Sequence, residues 1–185
     1  MNRRARAQVL PGAAGLCGAI GLAVALSATP ALAQTCIPVA AEVRFCPEGT
    51  PWADVRWQDV AGVMVWDGDD IQMEFNPELT AATPPGAPGA ALDALFDMLL
   101  AEPGAPDTTT LRRDSFATGA ASVERMAIEV TEDGETYLVA LMLADFDRGG
   151  PRLVWALSSF APMEGAEFLD LTQSTAAALR HGTEH

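Results

Sequence analysis

Apolar and polar residues alternate along parts of this chain with the period of two that is typical of a strand with one exposed face. Ile71, Met73 and Phe75 alternate with Gln72 and Glu74, and a shorter apolar run precedes them at residues 63–65. The sequence Asp-Gly-Asp-Asp at residues 67–70 separates the two runs. Because a glycine in such a short polar link adopts turn conformations easily, we expect a hairpin here.

A second set of strands is predicted in the C-terminal half. Met126, Ile128 and Val130 alternate with polar or small residues, and the strong turn signal Asp133-Gly134 follows them. Residues 136–144 and 153–157 are nearly continuous apolar runs, joined through the glycines and proline of 149–151. Continuous apolar strands are typical of the covered centre of a sheet. Residues 108–116 show mixed alternation and predict an outer strand.

Two segments have helical spacing. Leu92, Leu95, Phe96 and Leu99 recur at i, i+3, i+4 and i+7, which predicts one apolar stripe ended by Pro-Gly at 103–104. The second helix is predicted over residues 164–181. Its inner side is expected to carry Phe168, Leu171, Ala178 and Leu179.

The element order β-β-α-β-β-β-β-α predicts an α+β fold, with one domain over residues 52–185. We expect a mostly antiparallel sheet of about six strands covered by two helices, an α/β/α sandwich. The order over about residues 44–180, the turn at Asp133-Gly134 and the closing helix after residues 158–160 resemble the PsbP/DcrB-like group of small secreted proteins. This resemblance implies a non-catalytic accessory or binding protein.

Residues 1–33 have the organisation of a secretory signal peptide. Three arginines precede an apolar stretch at residues 13–26, and Ala31 and Ala33 occupy the small-residue positions of a cleavage site. We expect cleavage before Gln34, a periplasmic or secreted location, and no membrane insertion of the mature chain. The apolar span is shorter than the roughly 20 residues that a membrane helix needs.

Cysteine usage agrees with an oxidising compartment. Removal of residues 1–33 takes Cys17 away and leaves Cys36 and Cys46, which we expect to form a disulfide that pins the N-terminal segment 34–51. The nine residues between them differ from the C-x-x-C spacing of redox centres. A structural bond is therefore favoured over a redox-active one.

Charge narrows the possible partners. The chain contains 11 arginines, no lysine and 25 acidic residues, and its formal net charge is −14. Loss of three arginines with the signal peptide would change this to −17. We do not expect a nucleic-acid partner, because phosphate binding needs a basic face. An unknown protein or a small ligand is the expected partner.

The sequence lacks the residues and motifs that most catalytic mechanisms require. There is no lysine base, no nucleophile-elbow G-x-S-x-G and no phosphate-binding glycine motif. The two histidines, His181 and His185, lie at the C-terminal end, where we expect a disordered tail rather than a zinc or catalytic site. No catalytic residue is predicted, although a hydrolase that uses Asp or Glu is an open alternative.

Acidic residues near the first hairpin suggest one further alternative. Asp67, Asp69, Asp70 and Glu74 are close in sequence, and Ca²⁺ prefers oxygen ligands. The segment lacks the twelve-residue register of an EF-hand loop, so a solvated hairpin tip is favoured over a Ca²⁺ site. Apart from this Ca²⁺ alternative, no cofactor is predicted.

Tryptophans supply the candidate binding surface. Trp155 lies in a continuous apolar run and is expected in the core. Trp52 and Trp57, with Arg56 between them, have polar neighbours and could form the edge of a groove. The competing interpretation is that these side chains pack the N-terminal segment onto the sheet. The sequence thus predicts a secreted, non-catalytic binding or accessory protein.

Overall fold

The apolar runs form a seven-stranded antiparallel sheet in the computed structural model, which describes residues 36–101, 106–132, 134–146 and 151–182. The elements in chain order are β1 (Ile37–Ala40), β2 (Val43–Phe45), β3 (Trp57–Val60), β4 (Val63–Asp67), β5 (Ile71–Phe75), α1 (Pro77–Ala82), α2 (Pro88–Leu100), β6 (Asp107–Ala117), β7 (Ala121–Glu132), β8 (Glu135–Phe146), β9 (Arg152–Ser159), α3 (Gly165–Ala177) and β10 (Leu179–His181).

The large sheet has the strand order β3-β4-β5-β9-β8-β7-β6, with β9 and β8 in its interior. This confirms that the two continuous apolar runs are central strands and that the 108–116 segment is an edge strand. The hairpins at residues 67–70 and 133–134 are confirmed by the pairing of β4 with β5 and of β7 with β8. Asp133 itself lies outside the described residues, whereas Gly134 has the left-handed φ of 83° that this tight turn requires.

The fold is α+β, as expected, but the number of elements is larger than predicted. Within the described ranges there are ten strands and three helices, instead of about six strands and two helices. A second sheet of order β1-β2-β10 joins both ends of the described chain. The predicted helix over 164–181 was too long, because α3 ends at Ala177 and Leu179–His181 pair with β2.

Helices contact both faces of the large sheet. On one face, α3 buries Phe168, Leu171 and Thr175 within a core that also holds Trp66, Trp155 and the small sheet. On the other, Leu92 and Leu95 of α2 pack on Leu141, Leu143 and Val154. The predicted α2 stripe is only partly correct, because Leu99 is 41% exposed. No described helix has the length and apolar character to cross a bilayer.

Candidate functional site

An open cavity of about 600 Å³ lies between α3 and the turn that joins β4 to β5. Its third wall is the loop at residues 51–55, which supplies Pro51 and Val55. The apolar lining consists of these two residues together with Ile71, Met163 and Leu171. We call this cavity and its continuation below the α3 groove.

One face of α3 supplies a wall of the groove. Glu167, Asp170, Leu171 and Ser174 all line it, and their spacing is i, i+3, i+4 and i+7. Residues with this spacing share one face of a helix. The neighbouring face carries Phe168, Thr172 and Thr175, which are buried against the sheet. The helix is thus held by its buried face, and its acidic face remains exposed.

The opposite wall is a turn with a fixed backbone. The amide of Gly68 donates to the carbonyl of Ile71 at 2.9 Å, and the amide of Phe160 donates to the carbonyl of Asp70 at 2.9 Å. A Cβ atom on Gly68 would lie 3.2 Å from that Ile71 oxygen, so the close approach favours glycine. The side chains of Asp69 and Asp70 line the groove from this turn, and both residues are exposed.

Trp52 anchors the loop at residues 51–55, the third wall of the groove, to the core. Its side chain is fully buried, and its indole Nε1 donates to Thr175 Oγ1 of α3 at 2.9 Å. The hydroxyl of Thr50 accepts a hydrogen bond from the Trp52 amide at 3.1 Å, which closes the loop locally. Trp52 therefore packs the N-terminal segment onto the core and presents no surface to a partner, which agrees with the packing interpretation for this residue.

The other two residues of the predicted surface lie elsewhere. Trp57 is 43% exposed on edge strand β3 and packs on its cross-strand neighbour Trp66, with ring centroids 6.1 Å apart. Arg56 is exposed beside it. Neither lines the α3 groove. Trp155, by contrast, is fully buried in the core.

The groove continues past the start of α3. A second open cavity of about 460 Å³ shares Met163 and Glu167 with the first. Its further lining comes from the β7–β8 hairpin and the β9–α3 connection, and includes Glu129, Leu138, Pro162 and Glu164. The two shared side chains place the cavities next to each other, so that together they form one extended depression.

The charge of the α3 groove is uniformly negative. Of the residues that the structure describes, six carboxylates and no arginine line it. Among the described residues, no ion pair involves any of these six, which are Asp69, Asp70, Glu129, Glu164, Glu167 and Asp170. A rim of unpaired carboxylates around an apolar floor fits a partner that carries positive charges and apolar side chains.

The four predicted Ca²⁺ ligands are divided between two faces of the molecule. Asp69 and Asp70 line the α3 groove, whereas Glu74 lines a different cavity beside α2. Asp67 is exposed at the end of β4. Within the described part of the chain, no three Asp, Glu, His or Cys side chains are grouped closely enough to hold a metal ion. The alternation of β5 explains the division, because Glu74 points away from the face that carries Met73 and Phe75.

The acidic face of α3 was not identified from the sequence. Its signal was present, since Glu167, Asp170 and Ser174 are polar positions with helical spacing. A polar helix face is usually only a solvated face, so nothing in the sequence separates it from a binding wall. The distinction comes from the turn and loop that approach it in the folded chain.

His181 also differs from its prediction. It lies in β10, where its ring packs on Phe146 with centroids 5.2 Å apart. It is therefore part of the small sheet and not of a tail, whereas His185 lies outside the described residues.

Fold and site together define a single-domain α+β protein with a disulfide and an acidic, apolar-floored groove. No family model matches the chain, and no curated protein matches it. The resemblance to the PsbP/DcrB-like group therefore stays a prediction.

Solved structures show a loose similarity of fold. Immunity protein TplEi of T6SS from Pseudomonas aeruginosa, complexed with "L" peptide, aligns with a TM-score of 0.42 and 12% identity over 77% of this chain and 59% of that one. Its apo structure gives 0.42 and 14% over 77% and 55%. LpqN, involved in cell envelope biogenesis of Mycobacterium tuberculosis, gives 0.41 and 14% over 74% and 79%. The chain thus spans somewhat more than half the length of the TplEi chains, and similarity at this level does not extend to function.

Proposed function

We propose that this protein is a non-catalytic binding or accessory protein that holds an extended, basic and apolar segment of a partner protein in the α3 groove. The observation that carries the proposal is the set of six carboxylates without ion pairs around one depression, whose first cavity has a mostly apolar lining and whose second has a mixed polar and apolar lining. Such carboxylates repel one another when the groove is empty. Arginine or lysine side chains of a partner would relieve that repulsion.

The shape of the groove favours a segment of polypeptide over a compact ligand. The first cavity offers apolar contacts to Val55, Ile71 and Leu171, and the second continues past Met163 toward Leu138. Apolar side chains of a bound segment would bury surface along this floor, while its charged groups would face the rim. Rim charges contribute mainly to association rate and selectivity, and the apolar floor contributes most of the affinity.

The proposed location is outside the cytoplasm. The disulfide between Cys36 and Cys46 supports this, since such bonds persist in oxidising compartments. Residues 1–33, which we propose to be a cleaved signal peptide, lie outside the described residues. The finer assignment to a PsbP-like α/β/α sandwich is part of the same proposal and is supported by helices on both faces of the sheet.

A short peptide of alternating arginine and leucine tests the function. Fluorescence anisotropy would measure its dissociation constant on the folded protein at about 0.15 M salt, where long-range attraction is largely screened. We expect the double variant Glu167→Gln, Asp170→Asn to weaken binding about tenfold, because each rim carboxylate contributes about 0.7 kcal/mol.

The matched control removes two charges on the other side of the sheet. Glu78 in α1 and Asp97 in α2 are both exposed, and these helices pack on the opposite face. The double variant Glu78→Gln, Asp97→Asn should leave the dissociation constant within twofold of the parent. Equal weakening by both double variants would show that only net charge matters and would exclude the α3 groove as the site. The same conclusion would follow if a glutamate–leucine peptide bound equally well.

A further inference from the structure

A third cavity, of about 250 Å³, lies on the opposite face of the sheet from the α3 groove. Leu92 and Leu95 hold the first part of α2 against the sheet, whereas Phe96, Leu99 and Leu100 line an opening between the end of this helix and the strands. The floor of the opening is formed by interior strands β8 and β9 and their neighbours. We call this cavity the Glu74 pocket, after the residue that distinguishes it.

The lining of the Glu74 pocket is almost entirely apolar. Side chains of Phe96, Leu99, Ile128, Val130, Val139 and Leu141 contribute most of it. Thr108, Tyr137 and Ser158 add hydroxyl groups, and the hydroxyl of Tyr137 already donates to Glu132 at 3.2 Å. Glu74 supplies the one carboxylate among the lining residues that the structure describes. A cavity with apolar walls and one polar group is the usual form of a small-molecule site.

Glu74 has an unusual position for a carboxylate. It lies on β5, an interior strand of the sheet, between the buried residues Met73 and Phe75. Within the described chain its side chain forms no hydrogen bond and no ion pair, although five arginine–carboxylate ion pairs are present there. Burial raises the pKa of Glu74 above its ordinary value. An unpaired, partly buried carboxylate costs stability, which an apolar residue at the same position would avoid.

We propose that the Glu74 pocket binds a small apolar molecule with a single amine, whose ammonium group pairs with the Glu74 carboxylate. The apolar part of the ligand packs against Phe96, Leu99 and Val139. Charge complementarity determines the class, because an ammonium ion is the group that an unpaired, partly buried carboxylate lacks. The volume restricts the ligand to a size below that of drug-like molecules, whose pockets span roughly 300–1,000 Å³. Among the described lining residues, this site shares Tyr137 with the second cavity of the α3 groove, but it faces α2 and does not depend on the proposed partner.

Three probes with the same alkyl chain test the proposal: n-hexylamine, n-hexanol and hexanoate. Titration calorimetry on the full chain at pH 7 and about 0.15 M salt would measure each dissociation constant. We expect hexylamine to bind at least tenfold more tightly than hexanol and hexanoate to bind most weakly. Binding of none of the three, or equal binding of amine and alcohol, would overturn the proposal.

The variant Glu74→Gln keeps the size of the side chain and removes its charge. We expect the preference for hexylamine over hexanol to fall to within twofold, while hexanol binding is retained. Glu78→Gln is the matched control, because it removes one exposed glutamate from the same side of the molecule and should leave the preference unchanged. A preference that survives in Glu74→Gln, or disappears in Glu78→Gln, would place the amine elsewhere.

A second variant addresses the apolar wall and keeps the carboxylate. Val139→Phe reduces the free volume of the Glu74 pocket and should weaken hexylamine and hexanol alike by at least fivefold. Unchanged binding of both probes would exclude this cavity as their site. This variant tests the proposal even if Glu74→Gln fails to fold, because it leaves Glu74 unchanged.

Discussion

Arg125 shows at the scale of one residue how this sheet and its helix are joined. It is 5% exposed on β7, and its Nε and Nη2 donate to Asp114 on β6 at 3.0 and 2.8 Å. Its Nη1 donates to the Leu169 carbonyl at 3.0 Å and to Thr172 Oγ1 at 2.7 Å, both on α3. The guanidinium also lies 5.0 Å from the ring centroid of Phe116. One side chain therefore connects two strands to the helix that forms the groove.

Replacement of this arginine should destabilise the fold strongly. Arg125→Met keeps the apolar stem but leaves Asp114 and the helix groups without their buried donor. The expected loss is about 3–5 kcal/mol of unfolding free energy, measured by urea titration. Arg112→Met is the control, because Arg112 also donates to Asp114 at 2.9 Å but its side chain is 57% exposed. That change should cost less than about 1 kcal/mol. Equal losses would mean that burial does not govern this network.

The same network predicts a pH dependence. The hydrogen bond from Arg125 holds the pKa of Asp114 below its ordinary value, with a smaller contribution from Arg112. As the pH falls, the unfolded chain binds this proton first, near pH ~3.9. The stabilisation is therefore complete above that pH and disappears as the pH falls through the lower folded pKa. Urea titrations between about pH 5 and pH 3 should show a steeper loss of stability for the parent than for Arg125→Met. Parallel slopes would contradict this assignment.

At the scale of elements, helix α2 is held by only part of its predicted apolar stripe. Leu95 is 1% exposed and belongs to the cluster with Leu141 and Val154, whereas Leu99 is 41% exposed. Leu95→Ala should cost about 2–5 kcal/mol of unfolding free energy, because it leaves a cavity in a packed layer. Leu99→Ala makes the same chemical change in the same helix and should cost less than about 0.5 kcal/mol. Similar thermal melting shifts for both variants would show that the whole stripe is packed.

The elements that could be predicted from sequence are those whose pattern is long and local. Strands β5 and β7 alternate over several residues, and β8 and β9 are continuously apolar, so each pattern identifies its own strand. Strand β10 has only three residues and is paired with β2, more than 130 residues earlier in the chain. Its apolar residue continues the helical spacing of α3, so the sequence favours a longer helix. Such short pairings are fixed by tertiary contact, and a local pattern does not show them.

The candidate site follows the same division. The turn at residues 67–70 was predicted, because a glycine among aspartates between two apolar runs is a local signal. The role of this turn as a wall of the α3 groove could not be predicted. The other walls come from residues about 100 positions later and from the loop anchored by Trp52. The division of Asp69 and Glu74 between opposite faces was also missed. Closeness in sequence does not place two carboxylates together when strand alternation separates them.

At the scale of the whole molecule, charge should act in opposite directions on folding and on partner binding. A net charge of −14 without any lysine means that the folded chain works against its own repulsion. Salt screens this repulsion, since the Debye length falls from ~30 Å at 0.01 M to ~8 Å at 0.15 M. We therefore expect sodium chloride to raise the melting temperature across that range and then to have little further effect. The same increase in salt should weaken binding of the arginine–leucine peptide, because salt also screens the attraction between the arginines of the peptide and the carboxylates of the α3 groove.

Calcium separates this screening effect from specific ion binding. At fixed ionic strength, a Ca²⁺ site in the 67–74 segment would raise the melting temperature further, by ligand linkage, and Asp69→Asn would abolish the additional rise. We expect no such rise, because Asp69 and Glu74 line cavities on opposite faces of the sheet. A Ca²⁺-specific step that depends on Asp69 would instead favour the cation-binding hypothesis. A melting temperature that does not respond to sodium chloride would show that the carboxylates are neutralised locally by arginines such as Arg113, which lies 2.9 Å from Asp93 and 3.0 Å from Glu124.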